Sequence, residues 1–149
     1  MRFMIIVKSN PEFEAETRPA PPEALLAEMA AYHEELARAG VLLDGTGLHP
    51  RSKGWRIHYD ADGRHVVDGP FAEAKELIAG YTLIQVRTRQ EALEWSRRFP
   101  NPVGPGREAV IEVRQLIELE EFEPGPSIDR MREIGQATAG SGSNAGGAA

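Results

Sequence analysis

From Phe3 to Val7 every position is apolar, with Phe3, Ile5 and Val7 on one side of an extended chain and Met4 and Ile6 on the other. That pattern predicts a strand buried on both faces. Asn10 to Pro22 then mixes acids with Pro11, Pro19, Pro21 and Pro22, a composition that excludes ladder and helix interiors and predicts a loop. Pro22 suits the start of a helix. From Glu23 to Ala39, Leu25, Leu26, Met29, Tyr32 and Leu36 recur at three and four while the charges fall elsewhere. This is an amphipathic helix, ended by Gly40. Val41 to Leu48 reads as a strand in which Gly45 and Gly47 mark a bulge or a close backbone approach.

Trp55–Tyr59 and Arg64–Val67 flank Asp60-Ala61-Asp62-Gly63, which signals a hairpin. Asp68 to Phe71 is a second turn, followed by a short helical stretch at Ala72 to Glu76 and a strand from Leu77 to Val86. Thr88 with Glu91 three residues on forms a capping box ahead of a helix whose apolar stripe is Ala92, Trp95 and Phe99. Pro100 and Pro102 stop it. The last strand is Ala109 to Ile117, with Ile111 and Val113 on one face and Glu112 and Arg114 on the other. Beyond Phe122 lie Pro124, Gly125 and Pro126, a short helical segment at Ile128 to Ile134, and a run of Ala, Gly, Ser and Asn that cannot build a core.

The order of elements predicts an α+β fold: a ferredoxin-like split βαβ sandwich with an extra β-hairpin, both helices covering one face of a four-stranded antiparallel sheet. The other face is too apolar to be left in water. A homodimer packed sheet to sheet, forming a dimeric α+β barrel, would cover it and enclose a cavity. The domain is expected to span residues 1–122, with a tail over 123–149 that is disordered from about residue 137.

Composition narrows the chemistry. The chain has 149 residues, 41% hydrophobic and 27% charged, enough for one self-sufficient core and too few for two. Its formal net charge of −6 argues against nucleic acid as a partner. It has no cysteine, which removes disulfides, thiolate metal sites and thiol nucleophiles. The apolar runs are far too short to span a bilayer, and the N-terminus lacks the features of a secretory signal, so a cytoplasmic protein is expected. P-loop, dinucleotide-binding, nucleophile-elbow and H-E-x-x-H motifs are all missing from the sequence, so nucleotide hydrolysis, hydride transfer and a serine triad find no support.

The run from Val67 to Tyr81, Val-Asp-Gly-Pro-Phe-Ala-Glu-Ala-Lys-Glu-Leu-Ile-Ala-Gly-Tyr, resembles the signature of the YCII-related family in its DGPF-containing branch. Met1-Arg2-Phe3-Met4, Ala39-Gly40-Val41-Leu42, Gly47-Leu48-His49-Pro50, Glu94-Trp95, Pro100 and Ile111-Glu112-Val113-Arg114 agree with it, so the likeness covers roughly residues 1 to 117. The Pro-rich insertion and the tail lie outside it. The resemblance implies a ferredoxin-like domain that pairs into a dimeric α+β barrel. It implies little about activity beyond relatives that act on small, often aromatic or halogenated molecules, and a His and an Asp proposed as an active pair in one branch. His33-Glu34-Glu35-Leu36 is similar to the stretch that carries that His, while Asp68 and Asp44 compete for the Asp.

His33 lies four residues after Met29 and three before Leu36, on the helix face that should meet the sheet. It suits a general base whose tautomer a carboxylate fixes, or it is a packed structural histidine. Asp68 either orients His33 from the cavity mouth or makes a local turn bond. Lys75, with Glu73 and Glu76, could hold an anionic group or belong to a solvated face. Arg114 and Glu112 either clamp a substrate inside the barrel or pair across the interface, and Tyr81 would line the same site. The remaining histidines do not suggest a metal, because a turn over Asp60–Gly63 places His65 opposite Tyr59 and turns His58 to the other face. The expectation is a homodimeric enzyme performing cofactor-independent acid–base chemistry, such as isomerisation or elimination, in a cavity between sheet and first helix. A non-catalytic ligand-binding or regulatory module is the other reading.

Overall fold

The computed structural model describes residues 1–15, 17, 19–68 and 76–141. The chain divides into two units, Met1–Gln115 and Leu116–Ala149. The first holds strands β1 (Arg2–Lys8), β2 (Leu42–Gly47), β3 (Trp55–Asp60), β4 (Gly63–Asp68), β5 (Ile78–Gln85) and β6 (Ile111–Gln115), with helices α1 (Glu23–Arg38) and α2 (Arg89–Arg97). Four strands form one sheet in the order β2-β5-β1-β6, and every neighbouring pair is antiparallel. This mixed α+β arrangement is compatible with a ferredoxin-like fold.

Alternation decides what each sheet face meets. Phe3, Ile5 and Val7 of β1 stand opposite Ile84, Thr82 and Gly80 of β5. All six are buried. On the same face Phe3, Ile5 and Ile84 join Tyr32 and Leu36 of α1 and Ala92 of α2 in the main core, with Trp95 and Phe99 packed against it. Met4, Ile6, Tyr81 and Leu83 occupy the far face and are only half buried.

α1 starts where Pro22 ends the Pro-rich loop, the Pro22 carbonyl accepting from the amides of Leu25 and Leu26. Its end is a Schellman turn, in which Val41 N–H donates to the Leu36 carbonyl and Gly40 N–H to that of Ala37. Gly40 sits at φ +72°, a conformation that favours glycine. For α2, Thr88 Oγ1 accepts from the Glu91 amide at 3.1 Å, while the Glu91 carboxylate accepts from the Arg87 amide at 2.9 Å. Thr88 therefore caps as expected, with Glu91 reaching one residue further back than in a strict capping box. β2 and β5 approach so closely that a Cβ on Gly80 would lie 2.8 Å from the Thr46 carbonyl oxygen.

The hairpin corrects one expectation. Ala61 and Asp62 alone make the turn, so Asp60 pairs with Gly63, His58 with His65 and Tyr59 with Arg64. The expected register was off by one residue, which exchanges the faces of a strand. His58 and His65 thus share a face, flanking Asp60 at 3.8 and 3.2 Å. The opposite face carries Trp55, Ile57, Tyr59 and Val66, all exposed.

The second unit contains a 3₁₀ turn at Leu119–Glu121 and helix α3 (Pro126–Ser141). α3 is longer than the expected Ile128–Ile134 segment and enters the stretch expected to be disordered, since Ala137 and Ala139 propagate a helix already nucleated upstream. The expected turn at Asp68–Phe71 and helical stretch at Ala72–Glu76 lie, but for their first and last residues, outside the described residues.

Leu36 is fully buried, so Leu36→Ala is expected to cost about 3 kcal/mol in urea unfolding. Leu26→Ala, on the same helix but largely exposed, should cost less than about 1 kcal/mol. Equal losses would contradict the assignment of the core to the C-terminal half of α1.

Candidate active site

The two halves of α1 behave differently. Tyr32 and Leu36 reach the sheet and are buried, whereas Leu25, Leu26 and Met29 stand clear of it and line a cavity of about 370 Å³. Phe13 and Pro21 from the Pro-rich loop, Gly45 to Leu48 of β2 and its continuation, and Thr82 of β5 complete much of its wall. The loop is held in place by Glu14, whose carboxylate accepts from the Ser9 hydroxyl and, at 3.0 Å, from the Arg51 amide.

His33 lies at the cavity wall and is partly exposed. Its Nδ1 is 2.8 Å from the Met29 carbonyl oxygen and its Nε2 2.8 Å from Thr82 Oγ1. A carbonyl only accepts, so the Nδ1 atom carries a proton and donates. In the neutral ring Nε2 is then a bare acceptor, and the Thr82 hydroxyl donates to it. The backbone carbonyl one turn back does for the tautomer what a carboxylate was expected to do.

The pair is open on one side because of Gly45. A Cβ there would lie 3.1 Å from His33 Nε2 and 3.4 Å from Thr82 Oγ1, so any larger residue would cover these two atoms. Thr82 was not among the residues singled out from the sequence. Its signal was a hydroxyl at a helix-facing position between Gly80 and Ile84, where a buried polar group requires a partner.

The other expected residues are placed elsewhere. Asp44 accepts from Tyr81 Oη at 2.8 Å and from the Gly45 amide at 2.8 Å, so its carboxylate is committed away from His33. The hydrogen bond to Asp44 raises the Tyr81 phenol above its ordinary value of 10.0. Arg114 and Glu112 stand opposite Met4 and Ile6, on the far face of the sheet from His33. Glu112 lies 3.9 Å from Lys8 Nζ and 3.8 Å from Arg114 Nε. The sheet therefore separates Arg114 from His33, and within one chain the two cannot grip one small substrate. Asp68 ends β4 opposite Trp55; its side chain, and all of Lys75, lie outside the described residues. Among the described residues no group of three or more His, Asp or Glu is placed to hold a metal ion, and no helix is long and apolar enough to cross a membrane.

The domain model of one family matches residues 1–120, under the description YCII-related domain. The chain belongs to the YCII-related family. This YCII-related protein is also 32% identical over 79 residues to an uncharacterised protein of Rhizobium meliloti (strain 1021). That alignment covers 53% of the chain and 64% of the relative's length.

Next to His33, Tyr32 packs edge-on against both its ring and that of Phe99, and donates to the Trp95 carbonyl at 3.0 Å. Burial pushes its phenol up to about 12, and Arg98 opposes this only in part. The folded state thus holds this proton more tightly than the unfolded chain, whose tyrosine titrates near 10. The contribution is intact below pH 10 and is lost as the pH rises from 10 to about 12, by about 2–3 kcal/mol. Comparing the urea stability of the native chain and Tyr32→Phe from pH 9 to 12 checks this. The native chain should lose more stability than the variant over that interval, and parallel curves would refute the assignment.

Proposed function

We propose that this YCII-related protein, of the DGPF-containing branch, is a homodimeric cytoplasmic enzyme that acts on a small molecule by cofactor-independent acid–base chemistry of isomerase or lyase type. The observation that carries this reading is the His33–Thr82 pair opening past Gly45 onto a ligand-sized cavity between sheet and α1. His33 is the base, with its tautomer fixed by the Met29 carbonyl and its Nε2 reached through the Thr82 hydroxyl.

The dimer is supported by the far face of the sheet, where Met4, Ile6 and Leu83 remain half exposed at its centre with Arg114 and Glu112 beside them. Closure by a second copy covers these side chains and puts Arg114, Glu112 and Tyr81 at the interface, where they would bind a polar group or pair across it. A non-catalytic binding module is the second reading, favoured by one observation: both ring nitrogens of His33 are already satisfied within the fold.

Light scattering after size exclusion tests the assembly. The native chain should run at twice its 16.4 kDa mass, and Ile6→Glu should run as a monomer; a monomeric native chain refutes the dimer. Hydrogen–deuterium exchange into a panel of small carbonyl and hydroxyl compounds in D₂O, followed by NMR, tests the chemistry. An acid–base enzyme labilises a C–H bond of its substrate, and His33→Gln should slow that exchange by about 100-fold or more. Saturable binding without exchange or product in any compound would favour the binding module.

A further inference from the structure

Resting on the reading of this cavity as the ligand site, we propose that its ligand is an uncharged, largely apolar molecule bearing one hydroxyl, and that Thr82 is the residue that takes the hydroxyl proton and passes its own to His33.

The wall is built largely from Phe13, Leu25, Leu26, Met29, Leu48 and Phe99, and among the described residues it includes no Asp, Glu, Lys or Arg. While the His33 ring is neutral, a charged ligand would lose its hydration there without gaining a counter-charge, at a cost of several kcal/mol or more. The polar spot is the Thr82–His33 pair, and its donor capacity is spent. His33 Nδ1–H is bound to the Met29 carbonyl, and the single hydroxyl proton of Thr82 points to Nε2. What remains toward the gap beside Gly45 is the lone pair of Thr82 Oγ1. Thr46, paired with Tyr81, turns its hydroxyl to the far face of the sheet and adds no donor to the cavity. These side chains therefore offer acceptors, and the ligand must bring the donor. An ether, ester or carboxylate oxygen placed there would meet a lone pair.

The same geometry defines the proton path. The ligand O–H bond breaks as its proton moves to Thr82 Oγ1, while the original Thr82 proton moves to His33 Nε2. The products are a ligand oxyanion, an unchanged neutral threonine and an imidazolium whose Nδ1–H still binds the Met29 carbonyl. Atoms and charge balance without any further reactant. The new Nε2–H then holds Thr82 Oγ1 as an acceptor, which turns the Thr82 proton toward the ligand oxyanion. The pair thus changes from acceptor to donor as the ligand changes from donor to acceptor, which is what an acid–base catalyst of an enol or phenol requires.

The test uses the full-length protein and a matched pair of probes, 4-tert-butylphenol and its methyl ether, titrated by calorimetry. The phenol should bind about 10-fold more tightly than the ether, the ratio expected for one buried hydrogen bond. Thr82→Val, which keeps the side-chain shape, should bring the two to equal affinity. Gly45→Ala, which leaves Thr82 and His33 intact and places a methyl in the hydroxyl's position, should do the same. In the D₂O exchange measurement, Thr82→Val should slow the labelling of an active compound about as much as His33→Gln does, because the proton reaches His33 only through the Thr82 hydroxyl. Equal binding of phenol and ether by the native protein would overturn the hydroxyl inference and leave the cavity as a ligand site. Binding of neither probe, even at millimolar concentration, would overturn both. A phenol preference that survives in both variants would place the acceptor elsewhere and overturn the role of Thr82.

Discussion

Ile5 of β1 and Thr82 of β5 face one another across the two central strands, beneath α1. Their pairing is locked by what flanks it: Phe3 against Ile84 and Val7 against Gly80, all buried. A slip of one residue would bring Tyr81 and Leu83 under the helix and expose Ile84, giving up about 1.5–3 kcal/mol for each large apolar side chain lost from the core. The site inherits its accuracy from this register. Thr82 meets His33 Nε2 at 2.8 Å because hydrophobic burial leaves the strand no other phase.

Built on that register, α1 serves two ends along one length. Its C-terminal half is held by Tyr32 and Leu36 in the core, by the Schellman turn at Gly40 and by the Glu35–Arg98 ion pair to the chain just after α2. The ion pair is exposed and contributes little; the burial carries the attachment. Its N-terminal half keeps its leucines and Met29 off the sheet, and the Pro-rich loop closes the space with Phe13 and Pro21. A void forgoes dispersion contacts, so a cavity walled by a loop pinned through Glu14 is costly architecture for a purely structural domain.

The polar groups follow from the same partition. On the helix side, Thr82, His33 and Tyr32 are each satisfied by partners within reach of α1 or α2. On the far side, Asp44 and Tyr81 satisfy one another, and Glu112 sits between Lys8 and Arg114. The four-stranded sheet is thus a wall between two polar systems.

Much of the fold was legible in the residues alone, because local rules act strongly on them. Uninterrupted apolar alternation identified β1, the three-and-four spacing from Leu25 to Leu36 identified α1, and Gly40 and Thr88 marked helix boundaries through backbone conformation and side-chain capping. His33 could be placed on the sheet-facing side of α1 by counting turns. Its partner could not, since Thr82 lies 49 residues away and comes near only through the pairing of β1 with β5. The same limit explains the other differences. One residue in the length of the hairpin turn decided whether His58 and His65 share a face, and strand phase decided that Arg114 and Asp44 turn away from His33. Sequence by itself determined the elements, because their signals lie within a few residues of one another. Which side chains meet in a site was decided only by tertiary structure, because register and the choice of sheet face are set by burial summed over the whole core.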